Sequence, residues 1–226
     1  MQQLMPVNMQ VTEGVYLKDP SATELGRRII ETSVRLIDEL GLEAFTFGKL
    51  AQALGTAESS VYRYFDNKHK LLVYLVSWYW SWREYKLAFD TANIPDGSVR
   101  LEKGIRSILE PITEKGSFEH VDLRALYRIA VCESSKAFMT KEVDGEHKEG
   151  SFGSYKRLCD RLRQLIIDVR HDHPYPGLLS SLVMDGSTTQ RFFAEHIPSI
   201  LDKNTRSRLS DHFVSIIFAT LNTASR

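Results

Sequence analysis

The stretch Thr56-Ala57-Glu58-Ser59-Ser60-Val61-Tyr62-Arg63-Tyr64-Phe65-Asp66-Asn67-Lys68-His69-Lys70-Leu71-Leu72 decides how the chain is read. It sits where two short helical patterns meet a long one. Val61 and Phe65 lie four apart, so on a helix they share an inward face and leave Glu58, Ser59, Tyr62 and Arg63 outside. Upstream, Thr46 is a good N-cap for the short helix Phe47–Leu54, and Gly55 suits its end. Thr56 is expected to cap the next helix, from Ala57 to about Phe65, and Asp66 the one after it. Leu50, Ala51, Leu54, Val61 and Phe65 can then close a small core with a preceding helix. That layout is a helix-turn-helix, in which the second helix of the pair enters the major groove of DNA.

Working outward, the preceding helix starts near Ser21 and carries Leu25, Ile29, Leu36, Ile37 and Leu40 at helical spacing before Gly41. Residues 1–20 lack periodicity and read as an arm, ordered at most around Val15-Tyr16-Leu17. Lys18 is the arm's only base, so packing or disorder suits it better than a minor-groove contact. Downstream, Leu71, Leu75, Trp78, Trp82, Tyr85 and Phe89 predict a long helix reaching about Ala92. Further helical patterns cover about 98–112, 120–138, 155–169, 177–196 and 204–223. The glycine-rich, charged run Lys141-Glu142-Val143-Asp144-Gly145-Glu146-His147-Lys148-Glu149-Gly150-Ser151-Phe152-Gly153-Ser154 is expected to be a mobile loop. Nothing alternates with period two over a useful length, so the expected class is all-α.

Composition bounds the function. The 226 residues hold 42% hydrophobic and 26% charged side chains, ordinary values for a soluble globular protein. Twenty-nine bases balance 29 acids, so any DNA-binding surface must be local. Within residues 46–72 the bases Lys49, Arg63, Lys68 and Lys70 face the acids Glu58 and Asp66, a modest positive excess. Cys132 and Cys159 are too few for a disulfide framework and fit a reduced compartment. No secretory signal opens the chain, and the apolar run Leu71–Trp80 is about half the ~20 residues of a membrane span. The expectation is a soluble, cytoplasmic protein with no membrane partner.

The segment 27–72 resembles the N-terminal module of the TetR family of transcriptional regulators. Ile29-Ile30, Leu36-Ile37, Gly41, Thr46, Leu50-Ala51, Ala53, Gly55, Val61-Tyr62, Tyr64-Phe65, Lys68 and Leu71-Leu72 stand in that module's order without a gap. The resemblance implies a homodimer on a palindromic double-stranded operator, usually a repressor, released when a small apolar or amphipathic ligand enters the larger C-terminal domain. It divides the chain into an arm (1–20), a DNA-binding module (21–66) and a helical ligand-binding and dimerisation domain (67–226). Carried over by motif position, Thr46, Tyr62 and Lys68 would touch phosphates, while Ser59, Ser60 and Arg63 would lie near base edges or the backbone. Tyr64 can face DNA or core.

The departures from the family pattern are Glu58, where a basic or small residue is frequent, and Ser59, where glycine is. Glu58 could accept from a cytosine amine, but the simpler reading sets it against its own helix dipole, an effect of ~0.3–1 kcal/mol. The neutral charge and Glu58 also permit the alternative of a non-DNA-binding helical sensor or scaffold that kept the fold.

For the rest of the chain, Trp78, Trp82, Tyr85 and Phe89 could line a ligand cavity with Tyr127, Phe138 or Tyr155 opposite; the competing reading is plain core. Leu182, Gly186, Phe193, Phe213 and Ile217 are expected at a dimer interface, against the reading that they complete the monomer's own core. A ligand held against the long helix would tilt it and move the recognition helices apart. No cofactor is expected and catalysis is not. His171 and His173 lack companion ligands at zinc spacing, and no phosphate-binding glycine loop or nucleophile elbow occurs.

Overall fold

The structure, a computed structural model, describes residues 11–112, 117–118 and 120–223. Eleven α-helices and one minimal hairpin are seen among them. α1 (Glu24–Ala44) is capped by Thr23, whose hydroxyl accepts from the Gly26 N–H, and buries Ile29, Ile30, Val34, Leu36 and Ile37. Gly41 takes φ 76°, ψ 159°, a conformation that favours glycine, and breaks α1's path three residues before its end. α2 (Phe47–Leu54) is capped by Thr46 and closed by left-handed Gly55, as its sequence predicts.

α3 (Glu58–Tyr62) is shorter than expected and begins after Ala57, so Thr56 is not its cap. The Thr56 N–H instead bonds back to the Ala51 carbonyl at 3.0 Å, finishing α2. Asn67, not Asp66, caps α4 (Lys68–Thr91), accepting from the Lys70 N–H at 2.9 Å.

α4 is the axis of the molecule. Every residue from Leu71 to Arg83 is buried, because α5 (Gly97–Leu109), α6 (Leu123–Phe138) and α8 (Gly153–Val169) surround it. α8 contributes Leu158, Leu162 and Ile166 at the predicted spacing. Between α5 and α6, β1 (Ser117–Phe118) pairs antiparallel with β2 (Val121–Asp122), a two-residue hairpin that the sequence pattern does not show.

The run expected to be a mobile loop holds a helix, α7 (Val143–Lys148), and buries Glu146. The pattern at 177–196 is not one helix either. α9 (Pro176–Asp185) passes through a π turn at Gly186–Gln190 into α10 (Arg191–His196). After a 3-10 turn, Pro198–Ile200, α11 (Thr205–Asn222) lies against α5 and α10. No described helix is long and apolar enough to cross a membrane.

The arm is partly tied down. Val11 and Val15 are buried, the Tyr16 ring meets Tyr74 edge-on, and the Leu17 N–H donates to the Tyr64 carbonyl at 2.8 Å. Pro20 packs so closely on Gly26 that a Cβ there would stand 2.6 Å from Pro20 Cα. Residues 1–10 lie outside the described residues.

Candidate nucleic-acid interface

α2 packs on α1, and α3 packs on α2. Phe45, Leu50, Val61 and Phe65 are fully buried beside Ile29 and Ile37. Arg28 of α1 donates from Nη2 to the Leu54 carbonyl at 3.1 Å, holding the C-terminal end of α2. Lys49 and Lys68 serve the end of α1. Lys49 Nζ reaches the Ala44 carbonyl at 2.7 Å, and Lys68 Nζ reaches Leu42 at 3.1 Å and Glu43 at 3.4 Å. Cations against helix C-terminal carbonyls suit the negative end of the dipole.

The outer face differs. Thr46, Ser59, Tyr62 and Arg63 are exposed and Ser60 half-buried. The Arg63 side chain has no hydrogen-bond or ion-pair partner among the described residues. Tyr62 is 48% exposed, its ring held edge-on by Phe47 at 5.0 Å between centroids. That contact fixes the ring while leaving its polar end outward. Phe47 is therefore a supporting residue that spacing alone does not reveal, since its partner lies in the next helix. Glu58 folds back: its Oε2 lies 3.4 Å from where a Cβ on Gly48 would stand, near the N-terminal turns of both α2 and α3. This favours the dipole role over cytosine contact.

Tyr64 belongs to the core. It is 3% exposed, and its hydroxyl shares a 2.7 Å hydrogen bond with Thr23. Lys68 keeps its place at the start of α4, but its ammonium is engaged with α1. The next two bases turn inward onto α7. His69 Nε2 lies 3.1 Å and Lys70 Nζ 3.1 Å from Glu146, which is only 4% exposed. Burial pulls the Lys70 ammonium pKa down, yet Glu146 and Glu149 outweigh it and hold the pKa above its ordinary value.

The aromatic stripe does not line one cavity. Trp78 and Trp82 lie in the continuously buried stretch Leu71–Arg83 of α4, Tyr85 is half-buried, and Phe89 is 66% exposed beyond the core's edge. Tyr127 is buried and donates its hydroxyl to Glu195 at 3.2 Å. Burial raises its pKa most, opposed by the nearby Arg191 guanidinium. Tyr155 lines a different cavity, of about 550 Å³, with Phe138, Val143, His147 and Phe152.

Two buried guanidiniums escaped the sequence reading. Arg83 donates to Ser107 at 2.8 Å and Glu110 at 2.9 Å, and Arg191 to Leu109 at 2.8 Å. Together they cap the C-terminal end of α5, which accounts for burying two cations without a carboxylate.

Of the residues expected at a dimer interface, Leu182 is exposed, Phe193 and Phe213 are half-buried, and Gly186 and Ile217 are buried. Gly186 admits Phe213 of the same chain: a Cβ there would stand 2.7 Å from Phe213 Cε1. The close helix approach is thus intramolecular. α9 and α11 leave Leu178, Leu182 and Ile216 outward, and Leu182 and Ile216 line a groove of about 600 Å³.

Residues 29–75 match the profile of a family described as bacterial regulatory proteins, tetR family. None of the curated proteins matches the chain. Among solved structures it is similar to AibR in complex with isovaleryl coenzyme A and operator DNA, with TM-score 0.56 and 17% identity over 85% of this chain and 98% of that one. It is also similar to a tetR-family regulatory protein from Rhodococcus RHA1, with TM-score 0.54 and 18% identity over 92% and 100%. PfmR, a TetR family transcriptional regulator from Thermus thermophilus, gives TM-score 0.54 and 15% identity over 90% and 98%. At such identities these structures show a shared fold. Residues 29–75 thus carry the N-terminal module of the bacterial regulatory proteins of the tetR family, and the helical body joined to it shares the fold of these structures.

Proposed function

We propose that the chain is a homodimeric repressor that binds a palindromic operator through α3 and releases it when a small ligand enters the helical body. The observation that carries this reading is the outer face of α3. Ser59, Tyr62 and Arg63 are exposed there, and Arg63 is unpaired among the described residues, on a helix whose other face is locked by Val61. Hydroxyl and phenol donors fix register on phosphates, and an unpaired arginine can read guanine bidentately. Thr46 joins the phosphate contacts at the start of α2, and Ser60 lies at the edge of the same face.

Residues 21–66, behind the arm of residues 1–20, act as the DNA-binding module, and residues 67–226 as the sensing and pairing domain. The apolar face of Leu178, Leu182 and Ile216 supports pairing of α9 and α11 with their copies, since a two-fold protein suits a two-fold site. The AibR structure, with its acyl coenzyme A and operator DNA, supports a ligand-responsive reading by analogy of fold. The protein acts where the chromosome lies, in the cytoplasm, and catalysis forms no part of this function.

Selection of sites from random duplex DNA, repeated at two salt concentrations, tests the reading. The expected result is an enriched palindrome whose affinity falls as salt rises, because bound bases release counterions from phosphates. Absence of enrichment at low salt would overturn it in favour of a sensor that does not bind DNA.

A further inference from the structure

The cavity of about 550 Å³ between the end of α6, α7 and the start of α8 lies within the size range of small-molecule sites. Its walls are aromatic. Phe138 meets Phe152 edge-on at 5.3 Å and Tyr155 at a 50° tilt and 5.5 Å, and Tyr155 meets Trp80 of α4 edge-on at 5.3 Å. Rings presented at these angles leave faces and edges for a flat aromatic guest.

The polar character of the site is of one sign. Lys156 lines it, exposed and without an ion-pair partner among the described residues. α8 begins beside it with no side chain capping its first turn, so the positive end of a 17-residue helix faces the same place.

α7 joins this cavity to the DNA-binding module. Val143 and His147 line the cavity, and on the same short helix Glu146 holds His69 and Lys70 of α4. A guest that pushes on Val143 and His147 therefore pulls on the carboxylate that pairs with His69, at the turn that follows α3.

We propose that this cavity binds a small aromatic anion, an aryl carboxylate or sulfonate, and that α7 relays its occupancy to the first turn of α4. The binding half stands alone; the relay half rests on the DNA-binding reading above.

Two probes applied to the full chain test it: 1-anilinonaphthalene-8-sulfonate, and N-phenyl-1-naphthylamine, which lacks the sulfonate. The sulfonate is expected to bind with a rise in fluorescence, and Lys156→Glu to weaken it by about tenfold while changing the neutral probe by less than about twofold. Equal affinity for both probes, or a sulfonate affinity indifferent to Lys156→Glu, would overturn the site. The latter would place the probe on the apolar groove of α9 and α11.

For the relay, binding to a selected duplex is measured with and without the sulfonate. The wild-type chain is expected to lose about tenfold in DNA affinity, whereas Glu146→Gln and Lys70→Met bind the probe normally and lose less than about twofold. An unchanged response in both variants, or none in the wild type, would overturn the relay. A chain that binds no duplex at all would remove the DNA-binding reading and the relay with it, leaving the two-probe comparison to judge the cavity.

Discussion

The outer face of α3 and the first turn of α4 follow one another along the chain and carry similar donors, yet the structure uses them in opposite ways. Arg63 stands in solvent with no partner among the described residues. Lys68, His69 and Lys70 are all engaged: the first on the carbonyls ending α1, the others on buried Glu146. A solvated, unpaired guanidinium can change partners at little cost, while an ammonium beside a buried carboxylate cannot leave without stranding a charge. Under the proposed function, the density of bases around residue 63 does not by itself define the DNA surface. What each base already holds does.

The sharpest way to break this contrast is to remove both partners of Glu146. The double change His69→Ala with Lys70→Ala leaves a buried carboxylate unpaired and is expected to cost about 3 kcal/mol in urea unfolding. A loss near zero would show the pair to be ornamental. Next comes Arg63→Ala, which should weaken binding to the preferred duplex by ~1–3 kcal/mol, as read by fluorescence anisotropy, while leaving the unfolding midpoint unchanged. Equal small losses on every sequence would deny it a base.

Lys68→Ala sits between the two regions. It should lower affinity for all duplexes alike and cost about 0.5–1 kcal/mol of stability, because α1 loses the donor at its final carbonyls. A selective loss on one sequence would make it a base reader instead.

The smallest effect is one of pH. The pKa of Lys70 is raised in the folded chain, so its contribution is fully present below the unfolded value of about 10.4 and is lost as pH rises through the folded one. The stability gap between wild type and Lys70→Ala should hold steady from about pH 7 to pH 10 and narrow only above that. Narrowing below about pH 9 would contradict the ion pair.

The helix-turn-helix module is legible in the sequence because its signals are local. Thr46 and Gly55 cap α2 through contacts within a few residues, and Val61 and Phe65 share a face by spacing alone. Thr56 and Asp66 misled for the same local reason. Each is a competent cap one residue from the true boundary, which lies at Ala57 and Asn67. α7 was illegible because its glycines and charges match a loop, and only a pairing across 77 residues explains why Glu146 is buried. The aromatic stripe failed at its ends, since Phe89 continues the helical period past the point where the surrounding helices stop. Gly186 is expected at a dimer interface, but the side chain that its missing Cβ admits, Phe213, belongs to a helix of the same chain.

The most direct test is to select sites from random duplex DNA in parallel with the wild-type chain, Arg63→Ala and Lys70→Ala. The account predicts an enriched palindrome for the wild type, loss of preference at one position per half-site for Arg63→Ala, and an unaltered profile for Lys70→Ala. A profile that Arg63→Ala leaves intact and Lys70→Ala changes would place the reading surface on the first turn of α4, and would contradict the division drawn between the two regions.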